Sequence, residues 1–342
     1  MPERMGNNTL LLPSNPSVIG FAGVGGITEA EGPLAEEFDY LFDDDKAGQV
    51  SFEKAESIFH KEAVERALSK AKKSKSDVDY IFAGDLLNQC TGSTFGIRNM
   101  NIPYIGVYGA CSTMALTLAL ASVFVDSGAA NCAVASTSSH FCSAERQFRL
   151  PLEYGGQRTP TAQHTATAAG ASVISAHVKN TPCVSAVSIG KIRDLGIKDA
   201  NNMGAAMAPA AAETIAAFLN DTNTAPEDYD LILTGDLGKV GSSLLNELML
   251  KDYSFDISSV HNDCGLLIYD MENQDVHAGG SGCGCSASVV NTHVMNALST
   301  GKLNKTLFVA TGALLSATST LQGETIPSIA HAVLLTGGER DE

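Results

Sequence analysis

The feature that most constrains the fold of this 342-residue chain is an internal repeat. The stretch DVDYIFAGDLLNQ, residues 77–89, returns as DYDLILTGDLGKV, residues 228–240. Each copy has an acidic start, an apolar run typical of a strand and then Gly-Asp-Leu, and each follows a stretch with apolar residues at helical spacing. The sequence therefore predicts the same helix-then-strand unit twice.

The repeat continues downstream, where residues 110–139 align with residues 284–313. Each segment has a Cys-Ser opening, an apolar helix, a turn and a strand. Two related segments at similar offsets predict two halves of like structure, residues 1–182 and 183–342, with an insertion at 261–280 in the second. The alternative is two unrelated units that share a common order of helix and strand.

Short strands rich in Val, Ile and Leu alternate with helices, which predicts sheets covered by helices. The helix after Cys111 is apolar nearly all round, so it should be buried on every side. Its apolar residues are Met114, Leu116, Leu118, Leu120, Val123 and Phe124. One such helix from each half, packed between two sheets, gives an α/β fold in the form of a five-layer αβαβα sandwich. We expect a pocket where helix N-termini and strand ends meet between the halves.

Composition excludes several classes of function. The net charge of −16 opposes nucleic-acid binding, because phosphate recognition needs clustered Lys and Arg. Residues 1–18 do not have the pattern of a signal peptide, and the apolar runs are shorter than the roughly 20 residues of a membrane span. Eight cysteines without a CxxC pair predict neither a disulfide framework nor a structural metal, and no cofactor is predicted. The predicted location is the cytoplasm.

Five motifs together resemble those of a known family. The chain reads GACST at 109–113, AERQFR, EYGGQ and PTAQ within 144–163, and HAGGSGCGCSA at 277–287. With a cysteine opening the first central helix, the pattern is similar to the thiolase superfamily, which includes the ketoacyl synthases. Within that superfamily it resembles the stage V sporulation AD proteins of spore-forming bacteria. The likeness runs from about Gly32 to Gly337.

The resemblance implies a sporulation protein that binds dipicolinic acid (pyridine-2,6-dicarboxylate) or its calcium chelate and assists its uptake into the developing spore. It implies partners among the membrane proteins of the stage V sporulation A complex, a peripheral position at the spore inner membrane, and a homodimer. An acyltransferase of the ketoacyl-synthase type is the alternative, and an interaction scaffold that kept only the fold is a third.

Cys111 is the candidate nucleophile or pocket-lining residue. Amides at a helix N-terminus can stabilise a thiolate, an oxyanion or a bound carboxylate. Acyl transfer also needs a base, and the resemblance implies that the second half supplies it. Ser281 or Cys283 stands where thiolases place a His, so His277 is the nearest substitute and His261 another. The sequence therefore favours pocket lining over catalysis.

The segment 139–167 concentrates cationic side chains in an acidic chain, and its prolines and glycines predict loop over much of its length. Guanidinium groups match carboxylates two donors at a time, so we expect a lid that holds the dicarboxylate. The alternative is structural salt bridges to Glu145, Glu153 and Asp residues. The cationic candidates are His140, Arg146, Arg149, Arg158 and His164.

Asp85 and Asp236 are equivalent in the repeat. Each could face the pocket or cap the helix that follows it, and capping is favoured because Asp is a common N-cap. Asp236 nevertheless stays among the candidate ligand-binding residues. That set comprises Cys111, His140, Arg146, Arg149, His164, Asp236, Ser281 and Cys283, with Cys111 and His277 as catalytic candidates.

Overall fold

The computed structural model describes residues 1–149 and 158–338, and all that follows concerns these residues. The strands are β1 (Glu3–Met5), β2 (Thr9–Leu11), β3 (Ser17–Gly25), β4 (Tyr40–Leu41), β5 (Tyr80–Gly84), β6 (Tyr104–Gly106), β7 (Cys132–Ser139), β8 (His164–Thr165), β9 (Ala168–Ser175), β10 (Cys183–Ile189), β11 (Leu231–Thr234), β12 (His261–Asp263), β13 (Gly280–Ser281), β14 (Lys305–Ala313) and β15 (Ser328–Thr336).

The α-helices are α1 (Ile27–Ala30), α2 (Phe52–Lys70), α3 (Thr91–Ile97), α4 (Thr113–Asp126), α5 (Phe141–Arg149), α6 (Met203–Thr222), α7 (Gly238–Tyr253), α8 (Cys264–Leu267), α9 (Cys283–Val289), α10 (Met295–Thr300) and α11 (Ala317–Leu321). A π-helical turn, Val290–Val294, joins α9 to α10, and short 3-10 helices lie at Ala35–Glu37, Lys75–Asp77, Asn88–Cys90 and Pro226–Asp228. Within the described ranges, no helix has both the length and the apolar character needed to cross a membrane.

The internal repeat is confirmed by the order of the strands. The first half has the order β6-β5-β7-β9-β3 and the second half the order β12-β11-β14-β15-β10. In each half the first three strands are parallel, and the last two pair antiparallel. Strand β10 begins at Cys183, which pairs with Ser17 at the junction of the two sheets. The division at residues 182 and 183 stays a prediction, and the hairpin β1-β2 pairs with β10 of the second half.

Helices cover the sheets as the sequence predicts, so the five-layer α/β sandwich is confirmed. Helices α2 and α6 pack on the outer faces of the first and second sheets, with α3 and α7 beside them. Helix α4 contacts β5 and β7 of its own half as well as β14 and β15 of the other, and it also contacts α9. Helices α4 and α9 therefore form the central layer.

The prediction that α4 is buried on every side is wrong for one face. Met114 and Leu118 are fully buried, whereas a stripe at helical spacing is only partly buried. The stripe comprises Leu116, Leu120, Val123 and Phe124. Phe124 packs against Tyr80 and Phe82 of β5, beside β6, the last strand of the sheet at this end.

The loop predicted over much of 139–167 begins as a helix. Helix α5 occupies its first part, and its residues repeat apolar and small side chains on one face. Four residues carried the loop prediction. Pro151, Gly155 and Gly156 lie outside the described residues, and Pro160 lies in a turn, as predicted.

Candidate functional site

Cys111 lies in a tight turn at the start of α4, as its sequence context predicts. Ala110 adopts a left-handed backbone conformation with φ of 50°, which L residues seldom take without support. Two hydroxyls supply that support, because Ser112 Oγ donates to the Gly109 carbonyl at 2.6 Å and Thr113 Oγ1 donates to the Ala110 carbonyl at 2.6 Å. Cys111 in this turn is only 6% exposed.

Strand β14 of the second half reaches this turn through a glycine. A Cβ on Gly312 would lie 2.2 Å from the carbonyl oxygen of Gly109, so only glycine allows this approach. The two halves therefore meet directly beside Cys111.

Asp236, fully buried after β11, lies against the thiol of Cys111. Its carboxylate accepts the amide of Gly282 at 2.8 Å, the hydroxyl of Thr311 at 3.1 Å and that of Ser281 at 3.3 Å, and the Cys111 thiol also donates to it. Burial first, and the charge of Asp236 second, raise the pKa of the Cys111 thiol well above its usual range. The thiol is therefore held in its neutral form.

The capping role favoured for the two equivalent aspartates holds for Asp85 and is wrong for Asp236. Asp85 accepts the Ser93 amide in the first turn of α3 at 2.7 Å. At the start of α7, Asp263 takes this role, accepting the amides of Leu237 and Gly238 at 2.8 and 2.9 Å. The carboxylate of Asp236 instead accepts the amide of Gly282, at the start of α9.

Cys283 opens α9 and joins the same cluster. It is fully buried, and its Sγ donates to the carbonyl of Ser138 at 3.0 Å. It packs in one small apolar group with Cys111, Leu86 and Ala144. The fold therefore brings four of the predicted residues together: Cys111, Asp236, Ser281 and Cys283.

A cavity of about 40 Å³ opens beside Cys111, between the two halves. Its walls are mainly apolar. Helix α5 supplies Ala144, Glu145 and Phe148, and the second half supplies Met203 and Leu315 among others. The remaining lining residues are Leu86, Ala110, Cys111, Thr165, Ala200, Ser281 and Ala313.

The predicted arginine clamp is not seen at this cavity. Arg146 forms an ion pair with Glu53 of α2, is about half exposed and does not line the cavity. Arg158 pairs with Asp275 at 3.0 Å. Both follow the alternative of structural salt bridges: Arg158 pairs with an Asp residue, as that alternative expects, and Arg146 with a glutamate that it does not name. The side chain of Arg149 and the whole of Glu153 lie outside the described part of the chain.

Two of the histidines kept as candidates stand apart from Cys111. His140 is buried, its Nε2 contacts the Asp45 carbonyl at 2.7 Å, and burial lowers the pKa of its ring. His277 contacts Asp275 at 2.9 Å and the Thr159 carbonyl at 3.0 Å. Neither lines the cavity. Their polar contacts within the protein account for their positions.

His164 and His261 also hold structural positions. His164 stacks on Phe141, with ring centroids 4.2 Å apart, one residue before the cavity-lining Thr165. His261, the second substitute base, contacts Thr234 Oγ1 at 3.0 Å, and burial lowers the pKa of its ring to about 4. Among the described residues that line the cavity there is no histidine.

Sequence reasoning missed Glu56, which lies beneath α5. This side chain is 1% exposed and accepts hydrogen bonds from Ser143 at 2.6 Å and Ser138 at 3.3 Å. Burial, reinforced by the charge of Asp85, raises its pKa to about 8. The stretch FEKAESIF gave no signal of this, because alternating charges on a helix usually mark a solvated face.

Comparison with known proteins identifies the family. The model of the Stage V sporulation protein AD family matches residues 6–336. Stage V sporulation protein AD of Bacillus subtilis (strain 168) is 48% identical over 321 residues, which cover 94% of this chain and 94% of that protein.

Several solved structures share the fold. AbyA1, a tetronic acid condensing enzyme, has a TM-score of 0.60 at 17% identity, covering 94% of this chain and 100% of that one. A variant of OleA from Xanthomonas campestris has a TM-score of 0.59 at 13% identity, covering 98% of this chain and 99% of that one. 3-Oxoacyl-[acyl-carrier-protein] synthase III from Aquifex aeolicus VF5 has a TM-score of 0.57 at 13% identity, covering 94% of this chain and 99% of that one.

At these identities the likeness to the solved structures shows a thiolase-like fold and nothing about activity. The family match covers nearly the whole chain, and the similarity to the Bacillus subtilis protein extends over most of both sequences. The chain belongs to the stage V sporulation protein AD family, and its role is in sporulation.

Proposed function

We propose that this chain is a non-catalytic binding protein of spore formation that takes dipicolinic acid, as its calcium chelate, into the cavity at Cys111 and assists its uptake into the spore. The observation that carries the proposal is the contact between Cys111 and Asp236. It argues against a nucleophile and for a pocket that binds without reacting.

A thiolate at this place would have to form beside a buried carboxylate. Like charges in a low-dielectric site repel strongly, so ionisation of Cys111 requires Asp236 to take up the proton. Burial does raise the pKa of Asp236, but it raises that of Cys111 well above its usual range. The pair is therefore most stable as a thiol donating to a carboxylate.

Charge favours the chelate over the free acid. Dipicolinate is a dianion at neutral pH, and its complex with one calcium ion is neutral. The cavity has apolar walls such as Phe148 and Met203 and one acidic side chain, Glu145, in its wall, and the buried carboxylate of Asp236 lies against Cys111, which lines it. A dianion would be repelled here, whereas a neutral planar chelate would bury its ring against the apolar walls.

Calorimetric titration of the purified chain tests the proposal. We expect saturable binding of dipicolinate with calcium present, binding at least tenfold weaker with calcium chelated, and weaker binding of pyridine-2-carboxylate. Asp236→Asn should bring the affinities with and without calcium closer together, because it should improve binding of the free dianion. No saturable binding in any of these mixtures would refute the proposal.

The alternative, an acyltransferase, is favoured by one observation, the position of Cys111 at the start of a buried helix in a fold shared with condensing enzymes. It predicts that acyl-coenzyme A adds an acyl mass to Cys111 and that Cys111→Ala abolishes the adduct. Absence of the adduct across several chain lengths would exclude it.

We also propose that the chain forms a homodimer through the β6 end of the first sheet, as the thiolase superfamily suggests. Two observations support this. Tyr104 on β6 and the nearby Tyr108 are 36% and 46% exposed, and the stripe on α4 beginning at Leu116 is only partly covered. An edge strand flanked by apolar surface is a site where a second sheet can pair.

We propose that the chain acts peripherally at the spore inner membrane, with membrane proteins of the stage V sporulation A complex as partners. Family membership supports this. Fractionation of sporulating cells tests it: the chain should sediment with spore inner membranes and should be released when those membrane proteins are deleted.

A further inference from the structure

The cavity is too small for the proposed ligand in this conformation. Its volume of about 40 Å³ is room for about three water molecules, and Cys111 at its floor is 6% exposed. A six-membered ring with two carboxyl groups needs several times that space. One wall must therefore move before the ligand can enter.

Helix α5 lies outside the five layers, and among the described residues it contacts chiefly α2, β8 and α11. The other lining residues lie in the turn before α4, on or just after strands β5, β8, β13 and β14, and at the start of α6. Helix α5 has nine residues, too few for a stable isolated helix in water, so contacts with its neighbours hold it in place.

The first turns of α5 are firmly held. The Phe141 amide donates to Thr167 Oγ1 at 3.1 Å, and the Phe141 ring stacks on His164. Ser143 Oγ donates to the buried carboxyl of Glu56 at 2.6 Å. These contacts are buried or half-buried, where hydrogen bonds are protected from competition with water.

The end of α5 is held differently. Phe148 packs against both the Cys111 cluster and the outer core of the second half, so it closes the gap between the halves. On the opposite, solvent side, Arg146 pairs with Glu53 of α2, with side chains 52% and 29% exposed. Exposed ion pairs contribute little, and water competes for both groups.

We infer that α5 is the gate of the Cys111 cavity: its start stays fixed at Phe141 and Ser143, its Phe148 end swings outward, and the pair between Arg146 and Glu53 sets how often it opens. Arg146 is then a positioning residue, which acts on access rather than on the ligand. The inference rests on the proposed function only in taking this cavity as the ligand site.

Labelling of Cys111 by N-ethylmaleimide tests the gate without the ligand. The full chain is treated at one pH, and mass spectrometry follows the adduct at each cysteine. Arg146→Gln and Glu53→Gln should each speed labelling of Cys111 by about two- to five-fold, the range that a surface ion pair gives. Phe148→Ala should speed it by about tenfold or more, and the charge-swapped double variant E53R with R146E should return it towards the original rate.

Two controls isolate the gate from general loosening. Lys251→Gln removes a comparable exposed pair, Lys251 with Glu247 at 2.9 Å on α7, and should leave the Cys111 rate unchanged. Cys264, fully buried in the second half, should label at one rate in all variants.

Unchanged Cys111 labelling in R146Q and E53Q, or a parallel rise at Cys264, would overturn the gate. Because maleimide is not the ligand, failure to bind dipicolinate would leave these rates as they are, so the two proposals fail separately.

Discussion

Asp85 and Asp236 occupy equivalent positions after equivalent strands, yet they bind different helices. Asp85 accepts the Ser93 amide of α3, the helix that follows it in its own half, whereas Asp236 accepts the Gly282 amide at the start of α9 and the thiol of Cys111. The difference arises because Asp263 has taken over the start of α7. Asp263 accepts the amides at the start of α7, and the carboxylate of Asp236 lies beside Cys111 instead.

Asp236→Asn should lower the pKa of the Cys111 thiol, because it removes the neighbouring negative charge while the burial remains. The pH dependence of Cys111 alkylation measures that pKa. The matched control is Asp85→Asn, which changes the equivalent carboxylate of the other half. It should leave the pKa of the Cys111 thiol unchanged. An equal or higher pKa in D236N would contradict the contact.

Glu56→Gln should stabilise the protein at neutral and alkaline pH. The pKa of Glu56 is raised from 4.5 to about 8, so between these values the folded chain keeps a proton that the unfolded chain has lost, and stability falls as the pH rises. The variant avoids this loss of unfolding free energy, which by linkage is at most about 5 kcal/mol.

Urea unfolding at several pH values measures the effect of Glu56→Gln. The gain over the original chain should grow from pH 5 to pH 8 and then level off. Glu53→Gln on the same helix is the control, since the pKa of Glu53 is lowered and its removal should not stabilise. A gain that is independent of pH would show that Glu56 does not carry the proton.

Gly312→Ala should destabilise the protein by about 1–3 kcal/mol, the usual effect of overpacking. Its Cβ would meet the Gly109 carbonyl at 2.2 Å and push β14 away from the Cys111 turn. Gly337→Ala is the control, because its Cβ would have its closest contact at an ordinary 3.4 Å. Thermal unfolding compares them, and equal midpoints would argue against the close approach.

Leu120→Lys should convert a dimer into a monomer by placing a charge in the stripe on α4. Sedimentation equilibrium should give twice the chain mass for the original protein and the chain mass for the variant. Leu321→Lys, at an 81% exposed leucine of α11, should stay dimeric. A monomeric original chain would refute the proposed interface.

The sequence by itself determined the architecture of this protein. Apolar periodicity and the repeat depend on local spacing, so they predicted paired helix-strand units, the central position of α4 and the turn that carries Cys111. Capping by Asp85 was predictable for the same reason, because its partner amide lies only eight residues away.

Only the tertiary structure decided which partners the polar side chains of the site would take. Asp236 meets Cys111, Arg146 meets Glu53 and Glu56 meets Ser143 across long separations in sequence. Each of these groups had several chemically suitable partners along the chain. The choice follows from how the two halves and α5 pack, because burial and distance, rather than residue type, determine which charges interact.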